Sequence, residues 1–352
     1  MFKKLILEIE LIFYCQIVLN FIKYFIRVIN MKSLDVLYTV NNKYLHICLA
    51  SILSLIRNGN IPNLKLHIIT SDFSIEDYHF AEEFLNKFNI EYYFYDLKCF
   101  DIEKFGIPNW RGTQIANARL FFQEIIGSSL SNIQNLLYLD SDLIVVNDLT
   151  SLEKFQSNGI SAVKDACFKS YLQKLGGLSN YFNSGVLFIN PDIWTKEDYQ
   201  SKIIEFLNNC QFELVYPDQD ALNCALNGHI HDLPLNYNLG ANAYLFSEKY
   251  QRIYYGKKIN IQSDELEIAK KDPKILHSTG VLSIKPWSDN NINPFNEEFM
   301  KYILEVNPEF QKVELSKLKK VLSSYPPIFK ALVLMKSQMP EPVHNLARKL
   351  IS

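Results

Sequence analysis

Two carboxylates two residues apart, Asp140 and Asp142, lie in the run Leu136-Leu137-Tyr138-Leu139-Asp140-Ser141-Asp142-Leu143-Ile144-Val145-Val146. In an extended chain, residues i and i+2 face the same side, so both carboxylates can approach one ion. Charges enclosed by aliphatic strand on both sides need a partner. Hard oxygen ligands suit Mg²⁺ or Mn²⁺ shared with phosphate oxygens. A helix–loop–helix calcium loop is excluded, because the sixth loop position is not glycine. His277, in Lys274-Ile275-Leu276-His277-Ser278-Thr279-Gly280, ends a second short apolar run. It precedes Lys285-Pro286-Trp287, a cation-bearing turn suited to a diphosphate. An imidazole beside two carboxylates leaves room for phosphate oxygens on an octahedral ion and favours Mn²⁺ over Mg²⁺.

Two further groups are less specific alone. Asp218-Gln219-Asp220 follows Pro217 and opens a helical pattern. Carboxylates favour a first helical turn, which accounts for the two aspartates but does not require Gln219. Tyr181-Phe182-Asn183-Ser184-Gly185-Val186 places Asn and Gly before an apolar strand, which by itself reads as a turn.

The elements that would position these residues alternate. Leu34–Val40, Leu64–Thr70, Ile90–Leu97 and Asn135–Leu139 read as strands, with helical spacing over Tyr44–Arg57, Glu76–Phe88 and Thr113–Ile126. Ser71-Asp72 is a natural helix-cap region. This βαβα order with short connections predicts an α/β fold, a parallel, doubly wound sheet covered by helices. Such sheets bind ligands outside the carboxyl ends of their strands, where Asp140 falls. After Asp142 the order loosens: Gly159–Lys164, Gly185–Asn190, His229–Leu235 and Lys274–His277 read as strands, Asp192–Asn209 and Asp218–Asn227 as helices. No G-x-G-x-x-G follows the first strand and no G-x-x-x-x-G-K-[ST] occurs, so dinucleotide and P-loop readings lose their best evidence.

Composition sets outer bounds. The 352 residues suffice for a full core, and 48% hydrophobic with 21% charged residues is an ordinary globular composition. A net charge of −2 carries no nucleic-acid footprint. The six cysteines form no C-x-x-C pair and read as buried, reduced thiols, pointing to the cytosol. Residues 1–30 are apolar and aromatic but interrupted by Glu8, Glu10, Lys23 and Arg27. The uncharged run Leu11–Ile22 is shorter than the roughly 20 residues a spanning helix needs. Two readings fit, an interfacial helix or translated sequence upstream of a start at Met31; the second is expected, because a strong strand follows Met31 at once. Beyond Pro294 the character changes. Gln311–Ser352 carries eight Lys/Arg against two Glu, interleaved with Ile328, Phe329, Leu332, Val333, Leu334 and Met335. Such a tail suits an anionic membrane surface or a solvated, partly packed helix pair, and the basic excess against an acidic remainder favours the membrane. The expected division is therefore an extension over 1–30, a catalytic domain over 31–294 and a basic helical region over 295–352.

As a set, the LYLDSDLIVVNDL, FNSGVLFIN, PDQD and H-x-x-G…KPW segments resemble glycosyltransferase family 8, in order and spacing from about Asp35 to Trp287. The resemblance implies a GT-A fold, with a Rossmann-like mixed, mostly parallel sheet. It also implies a UDP-sugar donor, Mn²⁺ (or Mg²⁺) and retention of anomeric configuration. Asp140, Asp142 and His277 look like the metal ligands. Gly280 and Lys285 resemble diphosphate contacts, and Arg119 the family's phosphate-side arginine. Asp165, Asn183, Asp218 and Gln219 look like the donor-sugar residues, Gln219 nearest the reacting carbon. Asn41 and Tyr44 match the uridine-binding segment, Tyr44 placed to stack on uracil, and Ser141 lies between the two metal carboxylates. The family usually has acidic residues where Asn41 and Asn42 stand, and the loop from His277 to Lys285 is longer than in short bacterial members. The implied activity is hexose transfer, galactose or glucose, to an oligosaccharide or lipid-linked acceptor in lipopolysaccharide or other surface glycan synthesis, in the cytoplasm or peripherally on the inner membrane face. A self-glycosylating, glycogenin-like protein and a non-catalytic nucleotide-sugar-binding protein are the alternatives.

Overall fold

The computed structural model describes residues 33–110, 112–254, 262–279, 284–289 and 292–325, with 327 and 331 singly. The extension over 1–30, Gly280 and the apolar part of the tail from Ile328 lie outside the described residues.

Seven strands form the main sheet in the order β3-β2-β1-β4-β7-β6-β8. They are β1 (Leu34–Asn41), β2 (Leu64–Ser71), β3 (Glu91–Asp96), β4 (Leu136–Asp140), β6 (Ile160–Lys164), β7 (Phe182–Ile189) and β8 (Ile230–Leu233). A small second sheet, in the order β5-β10-β9, joins β5 (Leu143–Val145), β9 (Leu239–Gly240) and β10 (Ile275–His277). β1 pairs in parallel with both β2 and β4, so it is central and buried from Leu34 to Val40. Its alternate residues feed two cores. Val36, Tyr38 and Val40 pack with the helix Leu45–Asn58, while Leu37 packs with the segment around Ile115–Ile126. β4 divides the same way, Leu137 and Leu139 to one face, Leu136 and Tyr138 to the other.

The sheet is mixed rather than wholly parallel. β7 runs antiparallel to both β4 and β6, with Leu139 opposite Val186. That reversal matters for the site. In a parallel strand the start of β7 would lie at the far end from Asp140; reversed, Asn183-Ser184-Gly185 stands beside it. β7 also begins three residues before the strand expected at Gly185, because Phe182 pairs with Lys164 of β6 beyond a register irregularity.

Other boundaries differ for local reasons. The cap of helix Ile75–Leu85 is Ser74 in a capping box with Asp77, not Ser71-Asp72. The helix expected over Thr113–Ile126 is 3₁₀ over Ile115–Phe121 before one α turn. The helix expected over Asp192–Asn209 breaks at Asp198, whose φ of 53° is left-handed. In the C-terminal region, helix Asn296–Val306 lays Phe299, Tyr302 and Ile303 into the main core against Leu45–Asn58. Tyr302 accepts from Asn58 Nδ2 at 2.7 Å, and Glu305 pairs with Arg57.

Candidate active site

The order β3-β2-β1-β4 places successive strands on opposite sides of β1, so the crevice between the ends of β1 and β4 is the sheet's switch point. Asp140 ends β4 there. The chain turns at Ser141 and Asp142 and enters β5, whose antiparallel partner β10 sets His277 opposite Leu143. Ligand atoms of Asp140, Asp142 and His277 consequently lie within 4.8 Å of one another.

The contacts of this cluster sort its oxygens. Asp140 Oδ1 takes Arg119 Nη1 at 2.8 Å and the Tyr138 hydroxyl at 2.7 Å. Asp142 Oδ2 takes Lys285 Nζ and, at 2.6 Å, the Ser278 hydroxyl. The remaining oxygens, Asp140 Oδ2 and Asp142 Oδ1, face His277 Nε2 at 3.7 and 3.4 Å. Two carboxylate oxygens and an imidazole nitrogen thus converge, a donor set that fits an ion such as Mn²⁺ or Mg²⁺. Burial opposes the charge of Asp142, but Lys285 and His277 outweigh it and hold the carboxyl well below the usual range.

Arg119 is a buried hub. Besides Asp140 it reaches Asp218 Oδ2 with Nε at 3.2 Å, donates to the Ser184 carbonyl at 3.0 Å, and lies 4.6 Å over the Tyr138 ring. Burial works against its charge, and Asp140 and Asp218 keep it firmly protonated. Its donors therefore go to the carboxylates from within the protein, and Lys285 is the cation on the more open side. Lys285 Nζ also lies 5.7 Å over Trp287, whose ring meets Tyr44 edge-on at 5.9 Å. Asn41 Oδ1 accepts from Tyr44 N at 3.2 Å, at the end of β1. Both residues expected to meet uridine thus border the same crevice.

A second polar cluster adjoins the first. Asp165, one residue past β6, accepts from Asn183 Nδ2 at 3.2 Å and Gln219 Nε2 at 3.3 Å. Burial raises its carboxyl above the ordinary range, and these amides moderate the rise. Gln219 Oε1 accepts from Ser184 N at 3.0 Å, and Asp218 Oδ2 from the Ser184 hydroxyl at 2.8 Å. The four residues expected around the donor sugar therefore form one contiguous group.

Three contributors were not singled out from sequence. Asn238 takes its place through the small sheet, and its Oδ1 lies 2.8 Å from His277 Nδ1. Its segment, Asn236-Tyr237-Asn238, carries no distinguishing signal. Gly185 is packed against two of the candidate ligands: a Cβ there would lie 2.5 Å from His277 Cε1 and 2.6 Å from Asp140 Oδ2. Ser278 was visible only as the small residue after His277.

Comparison with known proteins supplies the family. The model of Glycosyl transferase family 8 matches residues 35–291, and the chain belongs to that family. It is 27% identical to General stress protein A of Bacillus subtilis, over 68% of this chain and 82% of that protein. It is also 27% identical to the lipopolysaccharide 1,2-glucosyltransferase of Escherichia coli K12, over 79% of each. Among solved structures, the galactosyltransferase LgtC bound to donor and acceptor sugar analogues superposes with a TM-score of 0.63. That likeness, at 23% identity, covers 78% of this chain and 96% of LgtC and establishes the GT-A fold. The protein is a glycosyltransferase.

Proposed function

We propose that this family 8 enzyme moves a hexose, galactose or glucose, from a UDP-sugar to a glycan acceptor with retention of configuration. The observation that carries the reading is the convergence of Asp140 Oδ2, Asp142 Oδ1 and His277 Nε2 beside the Asp165–Asn183–Gln219 cluster. The names of relatives such as the Escherichia coli lipopolysaccharide 1,2-glucosyltransferase and the Salmonella typhimurium lipopolysaccharide 1,3-galactosyltransferase support a role in surface glycan assembly.

Asp140, Asp142 and His277 would hold Mn²⁺, with Mg²⁺ as the substitute. When bound, the ion supplies Lewis-acid stabilisation of the charge on the departing diphosphate. The protein's own groups do the rest. Lys285 adds a positive charge on the same side, with Gly280 in the same loop. Asn41 and Tyr44 bind the uridine end. Arg119 holds Asp140 and Asp218 in place from behind, and Ser141 provides the turn between the two ligand carboxylates. Asp165, Asn183 and Asp218 orient the sugar hydroxyls. Gln219, its amide held between Ser184 N and Asp165, presents no carboxylate to the anomeric carbon. A retaining hydrolase would place a nucleophilic carboxylate there. The acceptor hydroxyl therefore attacks from the face that the leaving group vacates, through a short-lived ion pair. A glycosyl-enzyme trapped on Asp165 or Asp218 and seen by mass spectrometry would overturn this.

The acceptor is an oligosaccharide or lipid-linked glycan, met at the inner face of the cytoplasmic membrane. Among the described residues no helix is long and apolar enough to cross a membrane, and the excess of Lys and Arg beyond Gln311 supports surface attachment. The deciding assay is UDP release from UDP-Gal, UDP-Glc and UDP-GlcNAc with and without Mn²⁺. One donor is expected to turn over only with metal, and Asp142→Ala to reduce kcat by about 100-fold or more. No metal-dependent turnover with any donor refutes the reading.

A further inference from the structure

The orientation of one side-chain amide can be deduced without seeing a hydrogen, and it fixes the next. The backbone N–H of Gly185 can only donate, and it lies 2.9 Å from the Asn183 side chain, so the acceptor there is Asn183 Oδ1. Asn183 Nδ2 then faces the acceptor Asp165 Oδ2, which agrees. Asn238 also meets Asn183 Oδ1, at 2.8 Å, and must therefore offer its own Nδ2. Its oxygen is left pointing at His277 Nδ1, 2.8 Å away. An amide oxygen cannot donate, so Nδ1 carries a proton. Nε2 is then the nitrogen left to give its lone pair to an ion, and it is the atom facing Asp140 and Asp142. Asn238 is 6% exposed and His277 2%, so water does not readily replace either partner.

We infer that Asn238 is a positioning residue that sets the tautomer of His277 and ties the metal ligands to the Asn183–Asp165 sugar cluster. It acts through His277 and Asn183. An outer partner of this kind fixes the ring of a metal-binding histidine, and losing one typically costs 10–100-fold in metal affinity. The inference rests on the metal reading above. It adds that polarity is passed from the backbone of Gly185, through two amides, to the imidazole.

The two ends of Asn238 can be separated. Asn238→Asp still accepts from His277 Nδ1 but cannot donate to Asn183 Oδ1; Asn238→Leu does neither. Equilibrium Mn²⁺ titrations on the full chain, followed by electron paramagnetic resonance, are expected to show roughly 10–100-fold weaker binding for the leucine variant. The aspartate variant is expected to bind Mn²⁺ more tightly than the leucine variant while kcat with saturating metal falls, because Asn183 loses its donor. Nitrogen-15 spectra of the histidine rings in metal-free wild type, assigned with His277→Gln, are expected to show the proton on Nδ1.

Equal Mn²⁺ affinity in wild type and Asn238→Leu overturns the inference while leaving the metal reading intact. A wild-type Nδ1 that carries no proton overturns it even where the leucine variant does not fold. Absence of divalent-ion binding by the wild type refutes the metal reading itself, and the ring spectra then still decide the tautomer.

Discussion

At the scale of single residues, the site depends on side chains that are absent as much as on those present. Gly185 has no need of a left-handed backbone; its requirement is space, because the ring of His277 and the carboxylate of Asp140 occupy the volume of a side chain. Gly185→Ala therefore has two separable effects. Overpacking is expected to destabilise the fold by about 1–3 kcal/mol, readable as a lowered melting temperature. Displacing His277 from the carboxylates is expected to weaken Mn²⁺ binding at least about tenfold, readable by titration at a temperature where the variant is fully folded. A variant that melts early yet binds the ion normally would show that the crowding is absorbed away from the ligands. Sequence alone marks this glycine only as a turn, because what makes it necessary is a histidine 92 positions later.

At the scale of elements, the aspartates of Pro217-Asp218-Gln219-Asp220 do different work. Asp218 and Gln219 reach into the site, whereas Asp220 is fully buried and faces away from it. It accepts from the hydroxyls of Tyr171 and Tyr181 at 2.5 Å each, and from Val215 N and Tyr216 N at 2.8 Å each. It so braces the start of the helix from within, where the N-cap Tyr216 makes no side-chain capping bond. Burial pushes its carboxyl above the ordinary range, yet four donors make the site intolerant of an apolar replacement. Asp220→Ala is expected to lose on the order of 3 kcal/mol, measured by denaturant unfolding, and to raise the donor KM as Gln219 loosens. Unchanged stability would mean that the loop finds other acceptors. The strands were legible because they are apolar runs with period-two faces, and Asp140, Asp142 and His277 because they end such runs. The reversal of β7 and the small β5-β10-β9 sheet were not, since both are decided by long-range pairing. Asn238 fell in that blind spot: its importance follows from β9 lying beside β10.

At the scale of the whole molecule, the C-terminal region serves the site before it serves anything else. The loop that carries Lys285 and Trp287 is pinned from the far end of the chain. Val313 N donates to the Trp287 carbonyl at 3.0 Å, and Asp289 N to the Val313 carbonyl at 2.9 Å. Leu315 N donates to Asp289 Oδ1 at 2.7 Å, and Lys320 Nζ pairs with Asp289 Oδ2 at 2.9 Å. Leu315 itself is buried in the main core. Truncation before this segment would release the Lys285 loop, so a chain ending at Phe310 is expected to lose turnover on soluble acceptors whatever its membrane behaviour. A chain ending at Tyr325 keeps every one of these contacts and removes Lys330, Lys336, Arg348 and Lys349 together with the apolar residues between Ile328 and Met335. If those residues hold the enzyme to an anionic surface, the Tyr325 truncation should retain UDP release with a soluble acceptor. It should also lose most of its co-sedimentation with vesicles containing phosphatidylglycerol, and full-length binding should weaken as salt rises. Equal vesicle binding by the full-length chain and the Tyr325 truncation would remove the tail from the membrane hypothesis. Lost turnover in both truncations would instead place part of the catalytic support beyond Tyr325.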